Sequence, residues 1–166
     1  MRIKFKVPAV RGQGRPRFSK YSGAYKSKKD IEYENLIKDC FLKEAKDFEP
    51  IKRPVAIHIE VNYKLPKSTA KYVVDEVTYS DNNYVPQSKP DIDNIAKSVL
   101  DALNEVAYID DKQVYSLTCD KYFDTTSDTD YLIVVICYYD NYYYRTIEDI
   151  KNERRRNQEI KHLWKT

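Results

Sequence analysis

The chain has 166 residues, with 29 lysines and arginines against 26 aspartates and glutamates, a formal net charge of +3, and three cysteines. That length suits one domain with a real core, and the odd number and wide spacing of Cys40, Cys119 and Cys137 argue against a disulfide framework or a zinc site. With no N-terminal hydrophobic signal and no apolar run approaching about 20 residues, neither secretion nor membrane insertion is expected. Reduced core thiols of this kind are an intracellular pattern. Only His58 and His162 exist, so a histidine triad has little support. Lysine and arginine gather before residue 30 and after 150, with acid between them. Basic arms around an acidic centre suit a polyanionic partner, although ordinary solvated surface explains any single run equally well.

Arg2 to Val7 alternates as R-I-K-F-K-V and reads as a half-buried strand with a basic outer face. From Pro8 to Tyr25, a stretch holding all three glycines (Gly12, Gly14 and Gly23), the pattern is that of a loop. Here Arg11, Arg15, Arg17 and Lys20 are interleaved with Phe18, Tyr21 and Tyr25, and could clamp phosphates while the rings stack on unpaired bases. Ser27-Lys-Lys-Asp30 resembles a capping box. Tyr33, Ile37, Cys40, Phe41, Ala45 and Phe48 then recur at helical spacing and predict a long amphipathic helix. Past Pro50 and Pro54, Val55, Ile57, Ile59, Val61 and Tyr63 alternate with Ala56, His58, Glu60 and Asn62 as a strand. Between Lys64 and Ser88 no period holds for long, although 68–77 fits a short helix. We read this connection as a flap beside the site, with Tyr79, Tyr84 and Val85 as base contacts.

The segment from Lys89 to Gln113 concentrates the chemistry, with Asp91, Asp93, Asp101, Asp110, Asp111 and Lys97 in a short span. In an extended backbone residues two apart share a side, whereas in a helix they diverge by about 200°. Asp91 is therefore expected just before a helix, where Pro90 is also tolerated. Ile92, Ile95, Ala96, Val99, Leu100 and Leu103 form an apolar stripe for a helix over 93–105, with Asp93, Lys97 and Asp101 on the opposite face. The segment after it is long enough to return, so Asp91, Asp93 and one of the Asp110/Asp111 pair could converge beside Lys97. Such carboxylates suit a hard divalent cation, as in phosphoryl chemistry. The plain alternatives are that Asp91 or Asp93 only caps the helix, that Lys97–Asp101 is a surface ion pair, and that Asp110-Asp111 is a turn.

Gln113 to Phe123 and Tyr131 to Tyr139, joined by the polar run D-T-T-S-D-T-D, predict an antiparallel hairpin whose second strand belongs in the sheet centre or at a subunit contact. From Thr146 the pattern reads as a terminal helix dominated by Arg154 to Arg156. The fold expected is α+β: a mixed, largely antiparallel sheet packed against two main helices, with a basic C-terminal helix.

K-P-D-I-D-N-I-A-K-S-V-L-D-A-L-N, followed by I-D-D-K-Q-V, resembles the signature of the RusA family of Holliday-junction resolvases, and R-G-Q-G-R-P-R is similar to that family's basic opening segment. The resemblance spans most of residues 1 to 120. It implies a RusA-like domain over 1–145 with a basic helical tail over 146–166, and a homodimer that nicks four-way DNA junctions symmetrically in recombination and repair. Asp91, Asp93 and Asp111 match the family's catalytic metal-binding aspartates, with Asp110 their neighbour, and Lys97 matches its active-site lysine. Mg²⁺ is the implied cofactor, with Mn²⁺ a possible substitute. Arg11, Arg15, Arg17, Lys20 and Lys89 are the expected DNA contacts, and the expected setting is cytoplasmic DNA, in a host or a phage or prophage. A related flap- or fork-cleaving nuclease, or a DNA-binding module without catalysis, stays open on the residues alone.

Overall fold

The computed structural model describes residues 1–15, 17–20, 23–65 and 86–138. The flap reading of 64–88, its helix at 68–77, the contacts assigned to Tyr21, Tyr79, Tyr84 and Val85, and the terminal helix from Thr146 fall wholly or mostly outside the described residues. In chain order the elements are β1 (Arg2–Val7), β2 (Arg17–Ser19), β3 (Gly23–Tyr25), α1 (Lys28–Glu44), β4 (Val55–Lys64), α2 (Ile92–Leu103), a 3₁₀ turn (Asp111–Gln113), β5 (Val114–Asp124) and β6 (Tyr131–Cys137).

The main sheet runs β1-β6-β4-β5, and β2 and β3 form a separate small hairpin. β6 is antiparallel to both β1 and β4, whereas β5 is parallel to β4. The fold is therefore α+β with a mixed sheet, as expected. Every second residue of β4 is buried, from Val55 to Tyr63, which is the alternation of a strand with one face on the core. These residues join Phe5 and Val7 of β1 and the apolar faces of α1 and α2 in one cluster. Each such aliphatic or aromatic side chain taken from water stabilises the fold by about 1.5–3 kcal/mol.

The expected hairpin between the last two strands is not formed. β5 and β6 both pair with β4 and lie on opposite sides of it. The polar connection crosses the end of β4: the Lys64 amide donates to Asp130 at 2.9 Å, and the Tyr131 hydroxyl donates to Asp124 at 2.7 Å. Burial explains the choice. β6 is nearly continuous in apolar residues and needs both edges covered, whereas β5 is largely exposed and is suited to the sheet edge.

α1 begins at Ser27, whose hydroxyl accepts from the Asp30 amide at 3.2 Å, and buries Tyr33, Ile37 and Phe41. Phe5, Phe41, Phe48 and Tyr138 continue that core in edge-to-face steps of 5.7, 5.5 and 6.2 Å. α2 buries Ile95, Ala96, Val99, Ala102 and Leu103 against α1 and over β5. Its amphipathic stripe thus sets its rotation, leaving Asp93 and Lys97 outward. The three cysteines are free and half-buried. Among the described residues no helix is long and apolar enough to cross a membrane.

Candidate active site

Asp91 is the N-cap residue of α2, with extended φ −69° and ψ 150°. Its carbonyl accepts the first helical bond, from the Ile95 amide at 3.2 Å, yet its carboxylate makes no capping hydrogen bond. An aspartate at this position ordinarily caps; here, among the described residues, neither carboxylate oxygen takes that bond. Asp93 follows in the first turn, and both side chains are exposed. The unsatisfied amides and the positive end of the helix dipole favour anionic groups here. Lys97, one turn further along, is exposed and makes no ion pair with Asp93 or Asp101. The surface pair between Lys97 and Asp101 is therefore not formed.

Asp101 is used differently. It accepts from the Gln13 amide group and from the Lys26 ammonium, each at 2.8 Å. The Gln13 main-chain amide also donates to the Asn94 carbonyl at 2.9 Å, so the basic loop lies directly along α2. Gly12 allows this closeness, since a Cβ there would stand 2.6 Å from Pro90 Cβ and 3.0 Å from Asn94 Cβ. On its other side the loop is tied to the start of α1. Buried Asp30 accepts from the Arg11 guanidinium at 3.0 Å, the Ser27 hydroxyl at 2.5 Å and the Gly14 amide at 3.4 Å. Burial alone would raise the Asp30 carboxyl, but the bonds from Ser27, Arg11 and Gly14 outweigh it and hold the group below its ordinary value.

Loop and helix together enclose an open cleft of about 540 Å³ lined by Arg11, Gln13, Arg15, Lys89, Pro90, Asp91 and Asn94. Three of the five expected DNA-binding residues, Arg11, Arg15 and Lys89, are thus brought beside Asp91. Arg11 spends part of its hydrogen-bonding capacity on Asp30, so it organises the loop as well as lining the cleft. Arg17 and Lys20 fall instead in the β2–β3 hairpin region.

The convergence of Asp111 on Asp91 and Asp93 is absent within one chain. Among the described residues no three Asp, Glu, His or Cys side chains stand close enough together to hold one metal ion. After α2 the chain is captured at the helix's C-terminal end rather than returning to its start. Tyr108 is fully buried and donates its hydroxyl to the Leu100 carbonyl at 2.9 Å, and the Ile51 amide donates to the Ala107 carbonyl at 2.9 Å. Asp111 begins the turn that leads into β5, and β5 runs about 23 Å from Val114 before Lys121 reaches the level of Pro90. Asp110 behaves as the turn alternative supposed. It accepts from the Lys112 amide at 3.0 Å and pairs with the Lys112 ammonium at 2.9 Å, and those hydrogen bonds hold its carboxyl below the ordinary range.

No motif in the sequence marks Lys121 or Gln13 as site residues, and Asp30 is marked only as part of the capping-box-like start of α1. Lys121 donates to the carbonyls of Ser88 and Pro90 at 2.9 and 2.6 Å, immediately ahead of Asp91. It was detectable as a charge in a core-facing stripe, since Leu117, Cys119, Lys121 and Phe123 pair with the buried side of β4. Gln13, and the ties of Asp30 to Arg11 and Gly14, carried no such signal, because those partners are distant in sequence.

The family model for endodeoxyribonuclease RusA matches residues 8–132, which include the basic loop, α1, β4, α2 and β5. A relative, the uncharacterized protein YqaN of Bacillus subtilis (strain 168), is 33% identical over 120 residues, covering 67% of this chain and 80% of that protein. With the uncapped aspartate, the adjoining basic cleft and this match over most of its length, the chain belongs to the RusA endodeoxyribonuclease family.

Proposed function

We propose that the protein is a Mg²⁺-dependent, structure-selective endodeoxyribonuclease that resolves four-way DNA junctions by paired nicks. The observation that carries this reading is the non-capping carboxylate of Asp91 at the start of α2, beside a cleft lined by Arg11, Arg15 and Lys89. Exposed carboxylates such as Asp91 and Asp93 are hard donors of the kind that bind Mg²⁺ together with substrate phosphates, so the residues present fit the ion. Asp91 and Asp93 would hold it, with Asp111 as a third carboxylate. When bound, Mg²⁺ supplies a Lewis acid and a water of lowered pKa. The chain's own part is positioning and charge. Arg15 and Lys89 bind the DNA backbone along the cleft, and Lys97 neutralises charge on the scissile phosphate. Water adds to phosphorus, the bond to the 3′ oxygen breaks, and that oxygen leaves with a proton.

Two nicks in opposed strands require two such sites, and a two-fold homodimer is the economical way to present them. Dimerisation also offers a route for Asp111. It stands at the opposite end of α2 from Asp91 and Asp93 within a chain, and a second copy related by the two-fold axis, with its α2 antiparallel to the first, would bring its own Asp111 to them.

The test compares junction, fork, flap and duplex DNA with Mg²⁺ and with chelator. We expect paired nicks on the junction, no cleavage with chelator, and junction binding in both conditions. Asp91→Asn, Asp93→Asn and Asp111→Asn should each lower cleavage by orders of magnitude while binding survives. Near-normal cleavage by any two of these variants refutes the metal assignment, and a monomer on the junction that nicks one strand refutes the paired mechanism.

A further inference from the structure

A charged side chain of β5 reaches the backbone just ahead of α2. Lys121 leaves β5 on the side facing the helices, where its partner in register, Val61, is fully buried. A lysine in that position must find acceptors for its ammonium. It finds two main-chain carbonyls, Pro90 at 2.6 Å and Ser88 at 2.9 Å. Both precede the helix, so neither takes part in helical bonding, and Pro90 has no amide of its own to anchor it. Asp91 is the next residue, and its side chain makes no cap bond that would fix it locally.

We propose that Lys121 is a positioning residue for divalent-cation binding: by gripping the carbonyls of Ser88 and Pro90 it fixes the backbone from which Asp91 projects. This rests on the reading of Asp91 as a metal ligand. Groups that orient ligands without touching the ion typically change metal affinity by about 10- to 100-fold when removed. An inward-pointing lysine on an edge strand also discourages edge-to-edge pairing. That role requires only the charge, whereas this ammonium is bonded to two specific carbonyls.

The experiment uses the full chain, with Mn²⁺ as a paramagnetic probe whose binding is followed without DNA, and in parallel the Mg²⁺ dependence of junction cleavage. Lys121→Met keeps the aliphatic stem and removes the donors. It should weaken Mn²⁺ binding about tenfold or more and raise the half-saturating Mg²⁺ concentration by the same factor. Junction binding in chelator should be unchanged. If Lys121→Met fails to melt cooperatively, Lys121→Gln, which retains one amide donor, takes its place with the same readouts. A cooperatively folded variant with wild-type Mn²⁺ affinity and Mg²⁺ dependence overturns the proposal when Asp91→Asn loses both. If Asp91→Asn itself binds Mn²⁺ normally, the metal reading fails first and this inference with it.

Discussion

Gly12→Ala is the substitution whose cost can be worked most directly from the structure. Gly12 does not have a positive φ, so alanine brings no backbone strain, and the whole effect is steric. The new Cβ would stand 2.6 Å from Pro90 Cβ and 3.0 Å from Asn94 Cβ. Carbon atoms prefer about 3.5–4.0 Å, so loop and helix must separate by about 1 Å. Neither neighbour yields easily, since one belongs to a proline ring and the other to the first turn of α2. Overpacking of this size typically costs about 1–3 kcal/mol, and each kcal/mol lowers the melting temperature of a domain this long by about 2–4 °C. The larger effect should be kinetic. The displaced atoms belong to the two walls of the cleft beside Asp91, and a misplacement of about 1 Å at a reacting centre can cost about 100-fold in rate. The assay pairs thermal melts with single-turnover cleavage of a labelled junction. A variant that melts within 1 °C of wild type, or that cleaves at the wild-type rate, would refute the claim that this close approach builds the site.

Further outcomes follow from the same contacts. Asp30→Asn leaves Arg11 without its charged partner, and the loss of a hydrogen-bonded charge should cost about 1.5–3 kcal/mol, read by denaturant unfolding. The folded Asp30 carboxyl lies below its unfolded value, so its contribution is complete above about pH 4 and is lost as pH falls through the depressed folded value. The asparagine variant should therefore show a flatter acid limb than wild type in a stability-against-pH series. Tyr108→Phe removes the hydroxyl that bonds the Leu100 carbonyl and should cost about 1 kcal/mol with little change in cleavage, whereas Tyr108→Ala should cost about 3–5 kcal/mol. Asp101→Asn should slow cleavage only a few-fold, because Asp101 bonds Gln13 and Lys26 rather than substrate; an orders-of-magnitude loss in single-turnover rate would place it among the reacting groups.

Much of this protein is local and was readable without a structure. Alternation marked β1 and β4, helical spacing marked α1 and α2, and the D-x-D pair placed Asp91 ahead of its helix, because these patterns depend on side-chain periods of 2 and 3.6 that neighbouring residues impose on each other. The central place of β6 followed from its unbroken apolar run. What depended on tertiary structure were the pairings between distant segments. Polar turn residues say that the chain reverses, but not that it steps over β4; that was decided by the need to cover both edges of β6. Chain length allowed Asp111 to return to Asp91, but the burial of Tyr108 and the contact with Ile51 hold it at the other end of α2. The same limit hid the roles of Gln13 and Lys121 and the tie of Asp30 to the basic loop. Each is an ordinary polar residue in sequence and gains its role from an acceptor or donor that folding brings from at least 16 residues away.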